Sequence, residues 1–136
     1  MIKKLTLFSL ALMFNGIVFG QSFSVDENIV TINGNASEVT VANNTSLNAL
    51  SSQTLQWTIV EALLPTEWEF SNCFPNCYEA GITSGVLAMT EGQSYYLNCH
   101  VYPNEVAGEG TITMQITDNS GTVEEVTWQV VVGSAS

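Results

Sequence analysis

Cationic side chains are almost missing from this 136-residue chain. There are two, Lys3 and Lys4, against 13 acidic residues, and neither Lys nor Arg occurs from residue 5 onward. Nucleic-acid binding needs cations that neutralise phosphates, so nucleic acid is excluded as a partner. Arginine clamps, lysine Schiff bases and phosphate-gripping lysines are excluded for the same reason. Histidine is as scarce, with His100 the single one in the sequence. A blue-copper centre takes two His and one Cys, so that site cannot be built in its usual form, although Cys99, His100 and Met114 lie close in sequence. Helical periodicity is missing beyond the first 20 residues. What is plentiful is apolar: 46% of residues are hydrophobic and 10% aromatic, with only 11% charged. That composition can fill a core and does not fit a disordered chain.

Residues 1–20 read MIKKLTLFSLALMFNGIVFG. Two lysines precede an apolar run from Leu5 to Val18, which ends in small residues before Gln21. This is the layout of a secretory signal peptide. The run is too short, and too interrupted by Asn15 and Gly16, for a good membrane span. No Cys stands at the cleavage point, which argues against a lipoprotein. No second apolar stretch of spanning length follows, so the mature chain is expected to have no membrane span. Removal of residues 1–20 leaves a single domain, 21–136, that holds all 13 acidic residues and no lysine.

The mature chain has the period-2 pattern of strands bounded by turn residues. Val39 and Val41 share a face in the run from Ser37 to Ala42. Leu55, Trp57 and Ile59 alternate with polar residues, as do Tyr95, Leu97, Cys99 and Val101. Ile112, Met114 and Ile116 make another set, and Val126, Trp128, Val130 and Val132 the last. Gly85 to Met89, and Trp68 with Phe70, predict two shorter strands. Turns are expected at Asn33-Gly34-Asn35, Asn43-Asn44-Thr45-Ser46, Glu91-Gly92-Gln93, Gly108-Glu109-Gly110 and Asp118-Asn119-Ser120-Gly121. The last has the residues a hairpin needs. About seven short strands in one small domain predict an all-β, antiparallel, immunoglobulin-like β-sandwich. A jelly roll or another Greek key is the rival. Trp57, Trp68 and Trp128 are expected in its core.

Cys73 and Cys77 flank Phe74-Pro75-Asn76, and Pro-Asn is a natural pair of central turn residues. With an oxidising destination implied by the signal, a Cys73–Cys77 disulfide is expected. It closes a short loop, so it stiffens the turn more than it stabilises the chain. Cys99 lies on the inward face with Leu97 and Val101 and is read as a buried free thiol; an intermolecular bridge is the alternative. Cys73, Cys77, Cys99 and His100 invite a zinc reading. It is rejected because neighbours in a strand point to opposite faces, so Cys99 and His100 cannot share one tetrahedral ion. No metal and no cofactor is expected.

Hydrolytic chemistry has little to build on. His100 is the one candidate base, without a G-x-S-x-G context. Glu67 and Glu69 read as sharing a strand face, and Glu124 and Glu125 are adjacent, but a domain this small rarely forms the cleft that paired acids need. Calcium is a more reasonable ligand, since Asp26-Glu27-Asn28 and Asp118-Asn119 supply hard oxygens. No spacing matches a calcium loop, however, and turn chemistry explains the same residues. The aromatics are the better lead. Tyr96 and Tyr102 fall on the outward face of their strand, and Phe74 and Tyr78 sit at the cysteine turn. Exposed rings of this kind stack on sugars or anchor a protein partner.

The middle of the chain is similar to a known group. Leu64-Pro65, Glu67-Trp68-Glu69, Cys73 and Cys77-Tyr78 are followed by Thr90-Glu91-Gly92, His100-Val101-Tyr102-Pro103-Asn104, Gly108 and Gly110. This pattern, from Leu55 to Val132, resembles secreted bacterial immunoglobulin-like domains often found in proteins with a type IX secretion sorting tail. The resemblance implies a β-sandwich with a local disulfide at Cys73 and Cys77, and it implies no catalytic residue. Two departures stand out. Cys99 occupies a position that is more often small or apolar. The sequence also stops at Ser136 without a sorting domain, which leaves the periplasm as open as the exterior. The expectation is an exported, non-catalytic binding or structural module that contacts protein or glycan. Its candidate surface is Tyr96, Tyr102, Phe74 and Tyr78. A small secreted hydrolase using His100 or a Glu pair, and a calcium-stabilised spacer, are the alternatives.

Overall fold

A computed structural model describes residues 21–135; the expected signal peptide lies outside the described residues. The described residues form nine strands and no helix: β1 (Phe23–Val25), β2 (Ile29–Asn35), β3 (Val41–Ala49), β4 (Gln53–Leu63), β5 (Glu69–Cys73), β6 (Ser84–Met89), β7 (Ser94–Tyr102), β8 (Gly108–Thr117) and β9 (Val123–Gly133). They make two sheets, of order β1-β3-β7-β5 and β2-β9-β8-β4-β6. Strands such as β2, β6 and β9 alternate because their inner residues are packed between the sheets and their outer ones meet water. Leu47, Leu55, Leu97, Ile112, Met114, Ile116, Val126 and Trp128 fill that interior at 0% exposure. Trp57 and Trp68 join them, as expected. No helix among the described residues is long and apolar enough to cross a membrane.

The architecture is the expected immunoglobulin-like sandwich, with corrections to strand number, pairing, the first strand and three turns. Nine strands replace about seven, because β1 and β2 precede the first one read from the pattern. β2 pairs with β9 in parallel, from Ile29 opposite Thr127 to Asn35 opposite Gly133, so the sandwich is not wholly antiparallel. The first expected strand is displaced: Val39 is 85% exposed and β3 begins at Val41. Asn43-Asn44-Thr45-Ser46 is therefore mid-strand, opposite Ser46-facing Tyr96 and its neighbours in β7, and makes no turn. Asn33-Gly34-Asn35 ends β2, and Gly108-Glu109-Gly110 opens β8.

The other turns are as read. Gly92 and Gly121 both take positive φ, the conformation that glycine adopts without a steric penalty. One end of the sandwich is tied by Asp118. Its Oδ1 accepts from the Ser120 N–H at 2.9 Å, the Ser120 hydroxyl at 2.9 Å and the Thr122 N–H at 2.8 Å. Its Oδ2 accepts from the Ser22 hydroxyl at 2.6 Å, which links the β8–β9 hairpin to the segment entering β1.

Candidate functional site

Strand β7 positions the candidate residues. Its odd members Leu97, Cys99 and Val101 are fully buried between the sheets. Its even members Tyr96, Asn98, His100 and Tyr102 therefore lie on the outer face of the four-stranded sheet. The register sets their neighbours. Across β3, Tyr96 faces Ser46, Asn98 faces Asn44 and His100 faces Ala42. Across β5, Asn98 faces Cys73, His100 faces Ser71 and Tyr102 faces Glu69. Further along, the Ser94 hydroxyl donates to Asn48 Oδ1 at 2.7 Å, and Asn48 Nδ2 donates to Asp26 Oδ1 at 2.7 Å. The result is a face of amides and hydroxyls with one open ring in it, because Tyr96 is 45% exposed. Tyr102 is half-buried, with its hydroxyl 3.2 Å from Ser71 Oγ.

Beside that face runs the disulfide loop. Cys73 and Cys77 are bridged, with Cα atoms 3.8 Å apart. The loop holds a cis Phe74–Pro75 bond, and the Phe74 N–H donates to the Asn76 carbonyl at 3.0 Å. The bridge is asymmetric in exposure: Cys73 is fully buried while Cys77 is exposed. Two of the four expected surface aromatics are absorbed by this loop. Phe74 is 1% exposed and belongs to the core, so it offers no contact surface. Phe74 is the residue after β5, and its ring joins the core cluster that holds Trp57 and Trp68. Tyr78 is half-buried and packs its ring edge-on against Trp57, with centroids 5.2 Å apart. Tyr96 and, in part, Tyr102 are the rings left to meet a partner.

His100 lies between Asn98 and the disulfide on this face. Its Nδ1 lies 3.7 Å from Cys73 Sγ, and Asn98 Nδ2 lies 3.3 Å from its Nε2. Asn98 is 2% exposed, and its Oδ1 has no hydrogen-bond partner among the described residues. Among the described residues no carboxylate is a hydrogen-bond partner of His100, and Ser71 Oγ is engaged by Tyr102. Glu67 lies in the turn before β5, not on a strand face with Glu69, so the two do not form the expected pair.

Cys99 points the other way. Burial pushes its thiol pKa from 9.0 up to about 12, against a smaller lowering by a hydrogen bond with Asn72. It is the free cysteine of the described residues, as read from the alternation. No group of three His, Cys, Asp or Glu side chains among the described residues is placed to hold a metal ion. Asp118, weighed above as a calcium oxygen and as a turn residue, has both carboxylate atoms occupied by the donors described above. Burial alone would raise its pKa, but the hydrogen bonds from Ser22, Ser120 and Thr122 outweigh that and bring it from 3.8 down to about 2.

The alternation of β7 made Tyr96 and Tyr102 visible in the sequence. The contributions of Asn44, Ser46 and Ser71 were not visible, because they depend on which strands flank β7. No protein-family model matches the chain, and no curated protein matches it. Solved structures do match in fold. The N-terminal domain of PorA superposes with a TM-score of 0.63 over 83% of this chain and 99% of its own, at 15% identity. A PapD-like domain of human CEP192 gives 0.57 over 88% of this chain and 93% of its own, at 10% identity. CfaE, the adhesive subunit of the CFA/I fimbria of enterotoxigenic Escherichia coli, gives 0.50 at 10% identity, and the chain spans 47% of its length. These likenesses place the protein in the class of immunoglobulin-like β-sandwiches.

Proposed function

We propose that this protein is an exported, non-catalytic contact module, working in the periplasm or outside the cell, and that its ligand is a glycan held on the outer face of the four-stranded sheet. The observation that carries this reading is the open Tyr96 ring set among Asn44, Ser46 and the Ser94–Asn48–Asp26 network. A sugar presents an apolar ring face and a rim of hydroxyls. An exposed tyrosine suits the first, and short amides and hydroxyls suit the second. A protein partner would find few apolar anchors here, since Phe74 is in the core and Tyr78 and Tyr102 are half-buried.

Export is supported by the signal pattern of residues 1–20 and by a disulfide of the kind oxidising compartments sustain. The likeness to an adhesive subunit agrees with a contact role. A non-catalytic role agrees with the engagement of Ser71 Oγ by the Tyr102 hydroxyl.

The test is a glycan array probed with residues 21–136, alongside Tyr96→Ala and Tyr96→Phe. Tyr96→Ala should weaken the retained glycan about tenfold, equivalent to roughly 1.4 kcal/mol, with little change in melting temperature. Tyr96→Phe should bind nearly as well. Retention of no glycan, or equal binding by Tyr96→Ala, would refute the reading.

A further inference from the structure

We infer that the Cys73–Cys77 bridge is a thiol-exchange site, with Cys77 the sulfur that takes up a low-molecular-mass thiol. Three features carry this. The first is exposure: Cys77 is an exposed residue and Cys73 a fully buried one, so the bridge is approached from the Cys77 side. The second is His100, whose Nδ1 lies 3.7 Å from Cys73 Sγ. An imidazole N–H placed there can donate to the sulfur that departs. The third is Asn98, directly across the ladder from Cys73, buried, with Oδ1 lacking a hydrogen-bond partner among the described residues. A bridged cysteine has no S–H to offer such an acceptor, whereas a reduced Cys73 has one.

The exchange balances with thiols as the reductant. An external thiolate attacks Cys77 Sγ and forms a new S–S bond with it. The Cys73–Cys77 bond breaks, and its electron pair leaves on the buried Cys73 as a thiolate, which takes its proton by way of the His100 ring, itself half-buried and in exchange with solvent. A second external thiol then attacks the outer sulfur of the mixed disulfide. That releases Cys77 as a thiol and the two external thiols as their own disulfide. Overall, two electrons pass from the external thiols to the bridge. Cys99 takes no part, since it lies on the opposite face of β7 and is buried. With no Lys or Arg beyond residue 4, the surface favours a cationic or neutral thiol over an anionic one.

The experiment uses residues 21–136 in native buffer with cysteamine as the thiol. Samples are acid-quenched and alkylated, and adducts are located by peptide mass spectrometry. The mixed disulfide should be found on Cys77 and not on Cys73, with Cys99 unmodified. His100→Leu should slow opening of the bridge about tenfold, the loss of one hydrogen bond to a charged sulfur. His100→Gln, which keeps a donor, should recover part of that rate. An adduct on Cys73, equal rates in the wild type and His100→Leu, or no reaction until urea unfolds the chain would each overturn the inference. If His100→Leu does not fold, adduct location in the wild type and the rate of His100→Gln still decide it.

Discussion

Asp118 offers the sharpest test of how this sandwich is held at one end. Substitution by Ala removes the acceptor of four hydrogen bonds, three on Oδ1 and one on Oδ2, at 2.6 to 2.9 Å. A hydrogen bond to a charged group contributes about 1.5–3 kcal/mol. The hairpin residues Ser120 and Thr122 are exposed, so water replaces much of what their donors lose. The net cost of Asp118→Ala should be about 2 kcal/mol, a fall of about 8 °C in melting temperature. Asp118→Asn keeps an acceptor and should cost about half as much. The pH dependence gives an independent reading. The folded pKa is lowered to about 2 from 3.8, so the stabilisation is present above pH 3.8 and is lost as pH falls from there towards 2. Discounted for the hairpin's contact with water, this is worth about 1–2 kcal/mol. Urea unfolding at pH 7 and at pH 2.5 would measure both. Asp118→Ala should be the less stable protein at pH 7, and the gap should shrink at pH 2.5. A gap under about 0.5 kcal/mol at pH 7, or one that persists unchanged in acid, would refute the role given to this carboxylate.

Gly85 pairs with Trp57 across β4 and β6, and a Cβ there would lie 2.7 Å from the indole Nε1. Gly85→Ala should therefore destabilise by about 1–3 kcal/mol, where an unhindered strand glycine would gain about 0.5–1 kcal/mol from the same change; urea unfolding reads the sign. The 13 acidic residues have no Lys or Arg partner beyond residue 4, so salt can only relieve repulsion. The melting temperature should rise by a few degrees as sodium chloride is raised from about 0.01 to 0.5 M, and a fall would contradict this.

How far the sequence reveals such a molecule depends on whether a feature is local or assembled. The inward faces of β7, β8 and β9 were legible, because burial on one side of a pleated strand leaves a period-2 trace wherever the strand pairs. The buried Cys99 and outward Tyr96 follow from the same trace. β3 was misplaced because Asn43-Asn44-Thr45-Ser46 has the chemistry of a turn, and only its partners override that chemistry. Asn43 Nδ2 donates to the Thr31 carbonyl at 2.7 Å, Thr45 Oγ1 accepts from the Glu27 N–H at 2.9 Å, and β7 supplies a ladder along the whole strand. Phe74 was misjudged for a related reason: a proline turn suggests a surface loop, but the Phe74 ring, one residue past β5, packs into the core. The proximity of His100 to Cys73 is assembled in the strictest sense. It exists because β7 lies between β3 and β5 in the sheet, although β6 separates β5 from β7 in the chain. No pattern within β7 encodes its neighbour. An alternation can show which side chains a strand offers to the surface, but the chemistry of that surface is fixed by strand order. That is why the aromatic ring could be found by reading the sequence and the histidine–disulfide contact could not.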